Sequence, residues 1–156
     1  MTIKELREEL RQRSPKELLE LCLRLSRFKK ENKELLTYLL FELSDEPGYI
    51  KSVKREIDEQ FEQINRTSTY FIKKSIRKVL RTTRKYIRYS GKKDTEVELL
   101  IYFCFKLNQF KPSINKNTTL RNLFDKLIAH IQTTMLSLHE DLQYDYGKEL
   151  EELGIK

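Results

Sequence analysis

The sequence predicts an all-α protein, either a compact helical bundle or a short helical-repeat array of α-hairpins, with roughly seven or eight helices. Charged residues make up 35% of the chain, and the helix-interrupting residues glycine and proline number only four and three among 156 residues. Apolar residues recur every three or four positions along most of the sequence, which is the period of an amphipathic helix. At this length we expect one domain, residues 1–156, whose core is large enough to fold without metals or disulfides.

Capping residues predict where the first helices begin. Three starts are expected: Thr2 with Glu5 as a capping box, Ser14 with Pro15 and Glu17 as a second box, and Asn32 as a simple cap. The helices that follow should end near Arg13, Lys30 and Leu43. Pro47 and Gly48 then interrupt the pattern, so a turn is predicted there.

The second half of the chain continues the helical pattern. Residues 49–89 carry two apolar stripes separated by Asn-Arg-Thr-Ser-Thr, and we expect two helices rather than one helix of about 60 Å. Thr95 and Glu98 predict a third capping box, which opens a helix that Pro112 closes. A long helix over residues 118–142 should follow, and Gly147 should separate it from a short acidic tail helix.

Two segments of the sequence resemble each other. Residues 34–43 read ELLTYLLFEL and residues 98–107 read ELLIYFCFKL, with six of the ten positions identical. Basic and proline-containing flanks occur in the same order around both segments. These similarities predict two similar helical units, about 15–65 and 76–142, unless the leucine-rich helices are alike by chance.

The charge of the chain is strongly localised. Residues 70–93 contain ten lysine or arginine residues and no acid, whereas the rest of the sequence holds 21 basic and 24 acidic residues. On a helix, the apolar residues from Ile72 to Ile87 form one stripe, and eight cations occupy the opposite side. The predicted binding face consists of Lys73, Lys74, Arg77, Lys78, Arg81, Arg84, Lys85 and Arg88.

Several partners are compatible with this face. Duplex nucleic acid is the polyanion with the closest charge spacing, and Ser75, Thr82, Thr83 and Tyr89 would add neutral hydrogen-bond donors near the cations, although Thr83 is expected to point toward the core. A protein partner or a second subunit in a homodimer would serve equally, as would an anionic membrane surface by attraction alone. Acids of the same chain are a further alternative, namely Glu56, Asp58, Glu59, Glu62, Glu149, Glu151 and Glu152.

Motifs of catalysis and of metal binding are missing from the sequence. There is no glycine-rich phosphate loop, nucleophile elbow or His-Glu-x-x-His pair, and no helix-turn-helix or zinc-finger spacing. His130 and His139 would lie on opposite sides of one predicted helix, where they cannot share a metal. Cys22 and Cys104 are expected to be reduced core thiols. We therefore expect neither enzymatic activity nor a cofactor.

The longest apolar run, residues 97–105, is too short to span a membrane, and the N-terminal residues lack the apolar centre of a signal peptide, so we expect a cytoplasmic protein. The helix that contains this run is apolar nearly all round, which predicts burial or a dimer face. The sequence thus predicts a binding protein that acts through the basic helix face on a protein partner, with sequence-nonspecific nucleic-acid binding as the alternative.

Overall fold

The computed structural model describes residues 1–155, which divide into two compact units, residues 1–44 and the described residues from Asp45 onward. The described residues form eight α-helices and no strand, so the predicted all-α class is confirmed. The helices are α1 (Ile3–Arg11), α2 (Pro15–Phe28), α3 (Lys30–Thr37), α4 (Glu46–Glu62), α5 (Thr69–Ser90), α6 (Lys93–Gln109), α7 (Thr118–Met135) and α8 (Glu140–Glu152).

The first two helices begin where the capping boxes predict. The Thr2 hydroxyl accepts a hydrogen bond from the Glu5 amide at 3.2 Å, and Ser14 accepts one from the Glu17 amide at the same distance. Each glutamate in turn accepts from the backbone amide of its capping residue, and these hydrogen bonds lower the pKa of Glu5 and of Glu17. Local sequence alone therefore determines both helix starts.

The third helix differs from its prediction. It begins at Lys30 rather than after Asn32, and its N-cap Lys29 makes no side-chain capping bond. The Asn32 side chain instead donates to the carbonyl oxygen of Leu25 at 2.7 Å, which ties the start of α3 to α2. After Thr37 the chain continues as a π-helical turn, Tyr38–Glu42. Asn32 thus lies inside the first turn of α3 and contacts α2, and it does not act as the cap.

In the second unit α6 is the central helix. It packs against α4, α5, α7 and α8, and its residues Val97, Leu99, Phe103, Cys104 and Leu107 have no solvent exposure. The Phe61 ring of α4 lies 5.6 Å from the Phe103 ring, centre to centre. The prediction that this helix is buried is confirmed, and the cover comes from its own chain.

Residues 49–89 form two helices, as expected. Helix α4 ends at Glu62, and Ser68 caps α5 by accepting from the Phe71 amide at 3.3 Å. The predicted turn at Pro47 and Gly48 is displaced, because both residues lie in the first turn of α4. The Asp45 carboxylate caps the Gly48 amide at 3.2 Å, and a Cβ atom on Gly48 would collide with that carboxylate.

The predicted capping box at Thr95 and Glu98 is wrong. Helix α6 begins three residues earlier than predicted, at Lys93 and not at Glu96, so Thr95 lies inside its first turn. The Thr95 hydroxyl is buried and donates to a carboxylate oxygen of Glu46 at 2.8 Å, while Glu98 pairs with Lys54 at 3.6 Å. Thr95 and Glu98, which the local sequence pattern predicted as a capping box, therefore both make contacts with α4 instead.

The predicted long helix over residues 118–142 is also wrong, because it is interrupted after Met135. His139 caps a new helix, α8, with its Nδ1 atom accepting from the Asp141 amide at 3.1 Å. Gly147 lies within α8 and does not separate a tail helix. The break lets α8 place Tyr146, Leu150 and Leu153 in buried positions.

The boundary between the two units falls after Ser44, just beyond residues 34–43 and inside the first of the two predicted helical units, 15–65. Residues 34–43 pass from α3 into the π-helical turn, whereas residues 98–107 lie in one uninterrupted α-helix. The two segments thus differ in local conformation, and the duplication stays a prediction.

Candidate polyanion-binding face

Helix α5 presents the predicted cations from a firmly anchored backbone. Its apolar stripe is buried against α4 and α6, with Ile76, Val79 and Leu80 nearly inaccessible to solvent. Gly91, whose φ of +69° is left-handed, ends the helix after 22 residues, which is a length of about 33 Å. The stripe agrees with the predicted one except that Tyr86 is only half-buried.

The eight cations lie on the outward side of this helix. We call Lys73, Lys74, Arg77, Lys78, Arg81, Arg84, Lys85 and Arg88 the basic face. Lys73 and Lys85 are half-buried, and the other six side chains are exposed. The predicted separation between an apolar side and a cationic side is therefore present in the described helix.

Seven of these eight side chains have no ion pair or hydrogen bond with any residue from 1 to 155. Lys85 is the exception, and its ammonium group lies 5.1 Å from the centre of the Tyr86 ring. By contrast, the two lysines that follow α5 are paired, Lys92 with Glu46 and Lys93 with Glu96. Within residues 70–93, the cations without an ion pair are thus all on α5.

Two of the seven acids that could pair with the basic face make other contacts. Asp58 pairs with Lys106 at 3.3 Å and accepts a hydrogen bond from the Tyr102 hydroxyl at 2.6 Å. Glu56 accepts from Gln60 in its own helix. Glu149 is partly buried, and this burial together with the neighbouring Glu98 raises its pKa. Within the described residues none of the seven acids forms an ion pair with the basic face.

The spacing of the cations matches the charge spacing of a nucleic acid. Residues 73–88 place eight positive charges along the helix, about one per 3 Å of its axis. One strand of duplex DNA carries a phosphate about every 3.4 Å of its axis. Measured along the two axes, the charge density of the basic face is therefore close to that of one DNA strand.

The neutral donors near the cations are fewer than expected. The Thr82 hydroxyl donates to the Lys78 carbonyl at 3.1 Å, and the buried Thr83 donates to the Val79 carbonyl at 2.9 Å. Tyr89 packs edge-on against Tyr86. Of the four predicted donors, Ser75 alone has no hydrogen bond or ring contact within residues 1–155, and it is half-buried.

Two aromatic side chains that the sequence analysis did not select extend the basic face. Tyr70 is 67% exposed and Phe71 is 41% exposed, with their ring centres 5.3 Å apart. On the helical projection Tyr70 lies about 160° from Ile72, within the arc of the cations. The helical spacing that predicts the cationic side could also have identified Tyr70, because it places this aromatic residue in the same arc.

Other clusters of chemically active side chains are sparse. His130 contacts Glu96 at 3.4 Å and is half exposed, whereas His139 serves as the α8 cap, so the two histidines lie on different helices. Cys22 is exposed and is not the core thiol that we expected, while burial raises the pKa of Cys104 to about 12. In residues 1–155 no three His, Cys, Asp or Glu side chains are grouped as a metal site would require.

No helix within residues 1–155 combines the length and the apolar character that crossing a membrane requires. Comparison with known protein families, with curated proteins and with solved structures finds no match to this chain. Function is therefore inferred from the residues and their geometry.

Proposed function

We propose that this chain is a non-catalytic binding protein that holds a polyanion on the basic face, and that the polyanion is a nucleic acid bound without sequence specificity. The observation that carries this proposal is the absence of any internal partner, among residues 1–155, for seven of the eight cations. Like charges three or four residues apart destabilise a helix by a few tenths of a kcal/mol per pair, and α5 holds five such pairs at a spacing of four. A bound anion would offset this cost.

The composition of the face favours a nucleic acid over an acidic protein surface. The centres of protein interfaces are rich in apolar and aromatic residues and poor in lysine. Four of the eight residues here are lysines, and no aliphatic side chain interrupts them on that side of the helix. The two exposed rings at the start of α5 suit stacking on bases, which single-stranded partners offer. An acidic protein remains the second candidate.

Fluorescence anisotropy with labelled duplex DNA and single-stranded RNA, over a range of salt concentrations, tests the proposal. We expect binding that strengthens steeply as salt falls, with a log-log slope of roughly −3 to −4 on duplex DNA for about four phosphate contacts. The triple variant Arg77→Glu/Arg81→Glu/Arg84→Glu should lose this binding. Wild-type protein that binds neither probe at low salt would overturn the nucleic-acid proposal and direct attention to acidic proteins.

A matched control variant distinguishes binding by the basic face from a general effect of net charge. Arg55→Glu/Lys116→Glu/Lys126→Glu changes three exposed cations elsewhere, and either triple lowers the formal net charge from +7 to +1, since each replacement removes two charges. We expect the control to retain most of the binding. Equal loss in both triples would mean that the attraction is general, and that the basic face is not a site.

The aromatic pair provides a further arm of the same experiment. Tyr70→Ala/Phe71→Ala should weaken binding of single-stranded RNA by about 10-fold or more and leave duplex binding nearly unchanged, because stacking contributes roughly 1–3 kcal/mol per base only where bases are unpaired. An equal effect on both probes would contradict stacking.

A further inference from the structure

The first unit carries an unusual amount of exposed apolar surface. Residues 1–44, all of them described, contain twelve exposed leucine, isoleucine and phenylalanine side chains besides Met1, distributed over α1, α2, α3 and the π-helical turn. Leu25 of α2 is 62% exposed and Phe41 is 74% exposed. The described residues of the second unit, more than twice as many, expose only five large apolar side chains.

These helices are too short to be stable without cover. Helices α1, α2 and α3 have 9, 14 and 8 residues, and none of them contains a buried residue. Isolated helices below about 12–15 residues are marginal in water, and in proteins most of their stability comes from packing of an apolar face. The apolar faces of the first unit therefore require a partner surface.

The exposed area is large enough for a dimer. Twelve partly exposed side chains of this size present together on the order of 1,000 Å² of apolar surface. A standard stable interface buries about 800 Å² on each partner. The second unit offers no comparable area, because its described residues expose only five large apolar side chains, four of which are aromatic.

The charges around this surface are self-complementary. An open groove of about 770 Å³ between α1 and α2 is lined by Leu6, Leu10 and Leu21. Its remaining lining residues have both signs of charge, Glu9, Glu17 and Glu20 against Arg13, Lys16, Arg24 and Arg27. A strongly acidic or strongly basic partner would match only half of these residues. A second copy related by two-fold symmetry presents the same three acids and four bases, so acids of one copy can face bases of the other across the axis.

We propose that residues 1–44 form the contact surface of a homodimer, in which the exposed apolar faces of α1, α2 and α3 pack against the same faces of a second copy. This inference does not depend on the basic face or on nucleic-acid binding, because the two surfaces share no residue. It assigns the dimer contact to the first unit and not to α6, which its own chain covers.

Sedimentation of the full chain tests the proposal. Between roughly 1 and 100 μM, the mass should rise from 18.9 kDa toward twice that value. Leu25→Glu should weaken dimerisation at least 10-fold, because a carboxylate would be buried in an apolar contact. The matched control is Leu136→Glu, which introduces the same charge at a leucine of the second unit that is 75% exposed, and it should dimerise as the wild type does.

A chemical probe gives a second, independent readout. Cys22 is exposed and lines a groove with Leu25 and Leu35, whereas Cys104 is buried. The rate at which a maleimide labels Cys22 should fall several-fold as protein concentration increases through the dimer range, and Leu10→Glu on α1 should abolish this dependence. A wild-type protein that stays monomeric at 100 μM, or a dimer that tolerates both Leu25→Glu and Leu10→Glu, would overturn the proposal.

Discussion

Glu46 connects three parts of the second unit. Its carboxylate accepts hydrogen bonds from the Ser90 hydroxyl at 2.7 Å and from the Thr95 hydroxyl at 2.8 Å, and Lys92 lies 3.7 Å away. It thereby holds the start of α4 against the turn between α5 and α6. Sequence patterns do not reveal such a residue, because its partners lie more than 40 positions away.

Glu46→Ala should lower the free energy of unfolding by about 1–3 kcal/mol, since the buried Thr95 hydroxyl loses its acceptor. Urea denaturation followed by circular dichroism measures this. Glu59→Ala, at an exposed position of the same helix, serves as the control and should change the unfolding free energy by no more than about 0.5 kcal/mol. Adding Thr95→Val to Glu46→Ala should restore part of the loss. Equal effects of the two alanine variants would contradict a structural role for Glu46.

Alkaline pH should destabilise the fold through Tyr102 and Cys104. Burial and the hydrogen bond to Asp58 raise the pKa of Tyr102 from 10 to about 12, and burial raises the pKa of Cys104 from 9 to about 12. Both groups are neutral in the folded state at a pH where the unfolded chain already ionises, so their contribution is complete below the unfolded pKa and is lost as pH rises toward 12.

We expect the free energy of unfolding to fall by about 1 kcal/mol or more between pH 9 and pH 11. Tyr102→Phe should make this fall smaller, although it lowers stability at pH 8 by removing the bond to Asp58. Tyr144→Phe, at an exposed tyrosine of α8, is the control and should leave the pH dependence unchanged. A slope that Tyr102→Phe does not alter would exclude Tyr102 as a contributor.

Sequence patterns predicted helix starts and breaks correctly where these depend only on hydrogen bonds between residues close in the sequence. The capping boxes of α1 and α2 and the break before α5 are confirmed, because neighbouring residues supply every group in them. The starts of α3 and α6 and the interruption after Met135 were missed, since Asn32, Thr95 and the burial of Tyr146 depend on other helices. Likewise, the basic face followed from helical spacing, but its lack of internal partners required the positions of the acids.

The basic face should make α5 less stable than it would be with mixed charges. Arg81 faces Arg77 and Lys85 at a spacing of four residues, so Arg81→Glu should turn two repulsive pairs into attractive ones and raise the unfolding free energy by roughly 0.5–1 kcal/mol. The same change at Arg121 should have the opposite sign, because that residue pairs with Asp125 at 3.4 Å. Thermal denaturation at low salt compares the two variants, and destabilisation by Arg81→Glu would contradict the repulsion.

At the scale of the whole molecule, a homodimer that binds nucleic acid on its basic faces would be bivalent. A homodimer carries two basic faces, and a probe long enough to contact both should bind more tightly than a short one by about 10²-fold or more, since the second contact is intramolecular. Leu25→Glu should remove this gain and keep the affinity for the short probe. Anisotropy with duplexes of two lengths measures the difference. A length dependence that persists in the variant would mean that bivalency does not arise from the first unit.

The central position of α6 has a consequence for how the protein is made. Its cover comes partly from α4 and α5, which precede it, and partly from α7 and α8, which follow it. At synthesis rates of about 5–20 residues per second, α6 emerges from the ribosome several seconds before the last buried leucines of α8. During that interval α6 lacks the cover that α7 and α8 provide, so we expect Phe103 and Leu107 of the nascent chain to stay partly exposed until α8 has left the ribosome.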